Sequence, residues 1–232
     1  MRCVNRDRQL RNFFAAAGLT LVLFAPMHLK AEDYVIAPRE IALLPEYCKY
    51  TQTYRDKIPG GNDLQKMQHW YAVMGGRYPV DGMFHHMHHY CRALQHRNYA
   101  KFFAQTKQER MFRWERSIVE IDYVTGHVPP DFALLPEILT KRGESLLDLG
   151  RASLAVVDFH RAMELKPNYW PPYVVLSDYY KDIGNPKLAR EMLQQALSFS
   201  PDEKALKRRL AELDGVKATP GTAAKPVTEA VK

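Results

Sequence analysis

Two stretches of equal length decide the fold. They are "PEILTKRGESLLDLGRASLAVVDFHRAMELKPNY" (Pro136–Tyr169) and "WPPYVVLSDYYKDIGNPKLAREMLQQALSFSPDE" (Trp170–Glu203), and they align without a gap at a period of 34 residues. Gly150 falls on Gly184, Ala155 on Ala189, Ala162 on Ala196 and Pro167 on Pro201. Leu139 pairs with Tyr173, Arg142 with Leu176, Leu146 with Tyr180 and Phe159 with Leu193. In the first stretch Leu139, Gly143, Leu146 and Leu147 recur at helical spacing, so a first helix has one apolar face. Gly150 ends that helix, because glycine takes the left-handed cap at little cost. Ala155, Phe159, Ala162 and Met163 form the apolar face of a second helix. The alanines are small where two helices must approach closely. Pro167 stops the second helix. Each hairpin leaves apolar surface that only a neighbour can cover, so the units are expected to stack.

The pattern resembles the tetratricopeptide repeat, on the strength of its small residues, turn glycines and prolines. The second helix matches in both units. The first departs: Leu139 and Tyr173 stand for the family's tryptophan, Arg142 for a leucine, and Ser177 for a glycine. The resemblance implies an all-α fold, a TPR-like α-solenoid of helical hairpins. Repeats are expected over 136–169 and 170–203.

Outward from the repeats, "SPDEKALKRRLAELDG" reads as a capping helix over 200–215. Ser200 and Glu203 make a capping box, and Pro201 sits at the first helical position. Ala205, Leu206, Leu210 and Leu213 form its apolar stripe. Residues 216–232 have no periodicity and are expected to be a disordered tail. On the other side, the region 32–135 is helical but less regular. "DLQKMQHWYAVMGG" reads as a short helix stopped at Gly75–Gly76. A longer helix is expected from Met83 to about Arg97, with a turn at Asn98, then a second from Tyr99 to Gly126. That pair is the shape of a degenerate hairpin of the same kind. The stretches "LPEYCKY", "HHYC" and "PPDFALLPEI" are similar to stretches found together in bacterial repeat proteins, which implies a repeat fold and no particular activity.

The N-terminus has the layout of a secretory signal peptide over 1–31. A basic "MRCVNRDRQLRN" precedes the apolar run "FFAAAGLTLVLFAP", and Ala31 offers a last residue before cleavage. The run is shorter than a bilayer span, though an uncleaved segment could serve as an anchor. A periplasmic location is expected. The chain carries a formal charge of +7, of which the leader contributes four. No basic stripe interleaved with aromatics follows, so nucleic acid is not an expected partner. Export makes a disulfide between Cys48 and Cys91 the expected pairing, stabilising by roughly 3–4 kcal/mol on the chain-entropy model. Two buried free thiols are the alternative.

"FHHMHHYCRALQH" (Phe84–His96) holds five of the nine histidines. On a continuous helix His85, His89 and His96 share one face within about 40°. Met83, Met87, Tyr90, Cys91 and Leu94 take the other. The histidine face is expected toward solvent or a partner, with packing against another helix as an alternative. Cys91 cannot join His85 and His89 on one ion, and no HExxH motif is present, so no metal is expected. A metal-handling protein using His85 and His89 is the competing function. Phosphate-loop and nucleophile-elbow motifs are missing from the sequence, and no cofactor or enzymatic activity is expected.

The expected function is a non-enzymatic scaffold or assembly factor. By the resemblance, ligands lie in a groove lined by the first helix of each unit. The matching positions are Glu137, Thr140, Glu144, Leu147 and Asp148, then Pro171, Val174, Asp178, Lys181 and Asp182. Five of these ten are acidic and one is basic. A protein or peptide partner with basic and apolar residues would suit them. The competing reading is that the acids only solvate an open helix face. Two clear repeats make a short groove, so self-association is a further expectation.

Overall fold

The computed structural model describes residues 36–76 and 82–215. The expected leader and tail lie outside these residues. Among them the chain is all helical. Short helix α1 (Pro38–Ile41) and a 3-10 turn (Glu46–Tyr50) lead to α2 (Leu64–Val73). A second 3-10 turn (Met83–His86) opens into α3 (Met87–Phe102), followed by α4 (Lys107–Thr125), α5 (Leu135–Asp148), α6 (Ala152–Leu165), α7 (Pro171–Asp182), α8 (Pro186–Phe199) and α9 (Lys204–Gly215). The helices pack as neighbouring pairs, α3 with α4, α5 with α6 and α7 with α8. Each pair stacks on the next through α4–α5 and α6–α7, and α9 covers α8.

The period of 34 survives in space. α6 and α8 begin and end 34 residues apart. Gly150 and Gly184 hold φ of 74° and 78°, the left-handed region that ends α5 and α7. Ala155, Ala162, Ala189 and Ala196 are buried at the helix crossings.

Two of the departures from the repeat pattern, Ser177 and Arg142, have local compensation. A Cβ on Gly143 would lie 2.6 Å from the Phe159 ring, which is fully buried. The matching pair in the next unit is Ser177 and Leu193, where a smaller partner leaves room for a side chain. Arg142, in a leucine position, donates to Asp122 at 2.6 Å and to Asp158 at 2.9–3.0 Å. Asp158 is buried, and its counterpart one unit on is Met192. One unit therefore places an ion pair where the next places two apolar side chains.

Three sequence expectations need correction. α9 begins at Lys204, not at Ser200. Pro201 and Asp202 form a turn, and Glu203 accepts from the Ala205 N–H at 3.1 Å in place of the expected serine cap. The turn between α3 and α4 is not at Asn98. It lies after Phe102, and α4 starts where Thr106 accepts from the Glu109 N–H while the Glu109 carboxylate reaches back to the Gln105 N–H. Asn98 continues α3 and donates to the Leu43 carbonyl.

The third correction concerns the histidines. The 3-10 turn breaks the wheel, so His85 does not share a helical phase with His89. His85 is exposed, but the rest of the expected solvent face is covered by α4. His89 donates through Nδ1 to Glu120 at 2.6 Å and stacks on Tyr123 at 3.7 Å. Glu120 is buried and also meets Arg92 at 2.9 Å and Arg116 at 3.3 Å. His96 Nδ1 accepts from Arg113 at 3.2 Å. His88 is buried on the other side, with Nδ1 donating to the His85 carbonyl at 2.7 Å. The reason is architectural: α3 is flanked on one side by residues 38–54 and on the other by α4. Cys91 lies against Cys48 at the spacing a disulfide needs, with Cα atoms 5.5 Å apart and both residues buried.

Two outcomes are expected from this packing. Gly143→Ala should destabilise by about 1–3 kcal/mol through overpacking. Phe159→Leu in the same chain should recover part of that loss, a coupling readable by urea denaturation of the four-variant cycle. Simple additivity would show that the glycine is not there for the ring. The second concerns acid. Burial lowers His88 to about 4, and burial with the neighbouring Arg113 lowers His96 to about 3. Unfolded histidine titrates at about 6.5, so the unfolded chain binds more protons below that pH. Stability held by these neutral rings is complete above about pH 6.5 and is lost as pH falls toward 3–4. His96→Gln keeps an acceptor for Arg113 and should flatten the fall in Tm between about pH 7 and pH 4. Parallel profiles would remove His96 from the acid response.

Candidate functional site

A groove of about 800 Å³ opens along the first helices of the stacked pairs. Helical spacing brings its walls together. Arg97, Ala100 and Lys101 come from one face of α3. Glu144, Leu147 and Asp148 come from α5, and Val175, Asp178, Tyr179 and Asp182 from α7. Arg110 and Trp114 join from the start of α4.

Five of the ten positions carried over by resemblance line this space: Glu144, Leu147, Asp148, Asp178 and Asp182. The others do not. Thr140 has no exposed surface and donates to the Pro136 carbonyl at 2.7 Å, so it cannot meet a partner. Glu137 accepts from the Tyr90 hydroxyl at 2.8 Å, and Val174 is buried in the repeat core. Pro171 and Lys181 lie outside the cavity lining.

The lining acids divide into two kinds. Glu144 is paired with Arg97, which is 7% exposed and also donates to the Lys141 carbonyl and to Ser145. The Arg97 guanidinium lies over the Trp114 ring at 5.3 Å. Asp178, the Glu144 counterpart one unit on, is held by Arg209 of α9 at 2.7 Å. These two carboxylates bind helices together. Asp148 and Asp182, one turn further along in each unit, make no ion pair with any described residue. Loss of water between the groove walls raises the Asp148 carboxyl above its usual range, while Arg97, Lys101 and Arg110 pull it back down.

The groove is therefore not acidic throughout. Arg97, Lys101 and Arg110 line it from α3 and α4, which the first-helix positions of the two clear repeats do not include. One cue was present in the sequence. The capping box Thr106–Glu109 marks the start of α4, and locating it puts Arg110 in the first turn beside the groove.

Among the described residues no three His, Cys, Asp or Glu side chains converge on a point that could hold an ion. His89 of the competing metal pair is committed to Glu120 and Tyr123.

No curated protein matches the chain. Residues 171–203, spanning α7, α8 and the turn after them, match the family model of the tetratricopeptide repeat. That match shows a tetratricopeptide repeat over α7 and α8, and the stacked pairs, second-helix alanines and left-handed glycines already described have the form of a TPR-like helical array.

Proposed function

We propose that the protein is a non-enzymatic binding scaffold of the cell envelope, exported to the periplasm, that holds a protein or peptide partner in the groove between α3, α5 and α7. A tetratricopeptide repeat is a protein-interaction module. The observation that carries the reading to this groove is its pair of open carboxylates, Asp148 and Asp182. They stand beside apolar Leu147 and Val175 in a cavity large enough for several side chains. The helical array around the groove is stapled by buried pairs, which suits a rigid template for an extended or helical segment. Export is supported by the basic-then-apolar layout of residues 1–31, and an oxidising compartment suits the Cys48–Cys91 pair.

Two measurements test this. A photo-crosslinking residue at Val175 should trap a discrete partner in living cells, whereas the same residue at Val157, exposed on α6, should not. Equal labelling from both positions, or none from Val175, removes the groove assignment. Intact mass of the protein from periplasm should begin at Glu32 and lie two hydrogens below the reduced mass. A full-length, fully reduced chain would overturn export.

A further inference from the structure

The charges left without partners in the groove separate by sign and by wall. Lys101, at the end of α3, and Arg110, at the start of α4, form a cationic side. Neither makes an ion pair with any described residue; Lys101 approaches the Phe102 ring at 5.5 Å, and both cations act on Asp148 through the groove. Asp148 and Asp182 form the anionic side on α5 and α7, at equivalent positions of the two units. Leu147, Val175 and the edge of Trp114 lie in the same lining.

The regularity is informative. Each unit carries two acids one turn apart, Glu144 with Asp148 and Asp178 with Asp182. The first of each pair is consumed by an arginine from an adjacent helix, Arg97 or Arg209. The second of each pair is left open. Charges that only solvate a surface have no reason to sort themselves into opposite walls of one cavity.

Resting on the reading of this groove as the docking site, we infer that its partner is a dipolar peptide segment. An acidic side chain docks between Lys101 and Arg110. A basic side chain docks between Asp148 and Asp182. Apolar residues between them cover Leu147 and Val175. A uniformly basic segment meets Lys101 and Arg110 as like charge. A uniformly acidic one meets Asp148 and Asp182. A neutral segment strips water from four ions and returns no pairing. Only a segment carrying both signs in the right order gains at both ends.

The test uses the full chain and capped fluorescent peptides that share one leucine–alanine core. They carry Glu and Lys at opposite ends in either order, Glu alone, Lys alone, or Gln at both ends. Fluorescence anisotropy should show one dipolar order binding about tenfold or more tighter than every other peptide, a difference of about 1.4 kcal/mol. K101E/R110E should reduce that peptide to the affinity of the Lys-only one. D148K/D182K should reduce it to that of the Glu-only one. The quadruple reversal should prefer the opposite order, which guards against loss of binding through misfolding. A Lys-only peptide that binds wild type as tightly as the dipolar one would overturn the inference, as would an order preference unchanged in the quadruple variant. If no peptide binds but Val175 still crosslinks a partner, the dipolar rule fails and the groove assignment stands. If both are lost, the assignment itself has failed.

Discussion

A guanidinium buried where three helices meet is the constraint from which much of the structure follows. Arg97 leaves α3 and reaches the interior between α4 and α5 with almost no contact with water. A cation there is tolerable only with its counter-charge beside it, since removing the partner of a buried charge costs about 3–5 kcal/mol. The acceptors are the Lys141 carbonyl, Ser145 and Glu144, all on α5, with the Trp114 ring of α4 beside them. Satisfying Arg97 therefore sets how α3, α4 and α5 sit together. The same requirement takes Glu144 out of play as a free carboxylate and leaves Asp148, one turn on, as the acid that faces the groove. Further along α4 the Glu120 carboxylate does similar work, gathering His89, Arg92 and Arg116.

The two repeats show how geometry is kept while residues change. Gly143 and Phe159 fill the same crossing that Ser177 and Leu193 fill one unit later. Volume moves from one helix to the other, and the alanines stay buried in both units. Arg142 and Asp158 replace an apolar pair by a charged one, and the change is possible because Asp122 on α4 supplies a second acceptor. A third helix is needed to make that substitution tolerable. It is therefore a property of the stack and not of the hairpin alone.

Residues that look reactive in the sequence are mostly spent on holding the molecule together. The histidine-rich helix is the clearest case. His89 stacks on Tyr123 and bonds to Glu120, His88 lies tilted against His89, His96 accepts from Arg113, and burial lowers the pKa of both His88 and His96. Asp178 follows the same rule, tying α9 to α7 through Arg209. What remains for a partner is the smaller set of charges that no neighbouring helix has claimed.

Periodicity was enough to read the hairpins, their turns at Gly150 and Gly184, and the all-helical class. Those features depend on spacing along one chain segment and on local backbone preferences, both of which a sequence displays directly. The boundaries of α4 and α9 were also legible, in Thr106–Glu109 and in Glu203, but they compete with other plausible caps nearby. The face of α3 that meets solvent was not legible. A wheel shows which residues share a side, and it cannot show that α4 covers one side while residues 38–54 cover the other. Nor could the sequence say which acids are free. Glu144 and Asp148 look alike in a string of letters. They differ only because Arg97, almost fifty residues away, arrives beside one of them and not the other. Charge pairing between distant helices is decided by packing, and so the character of the groove was settled by the tertiary structure.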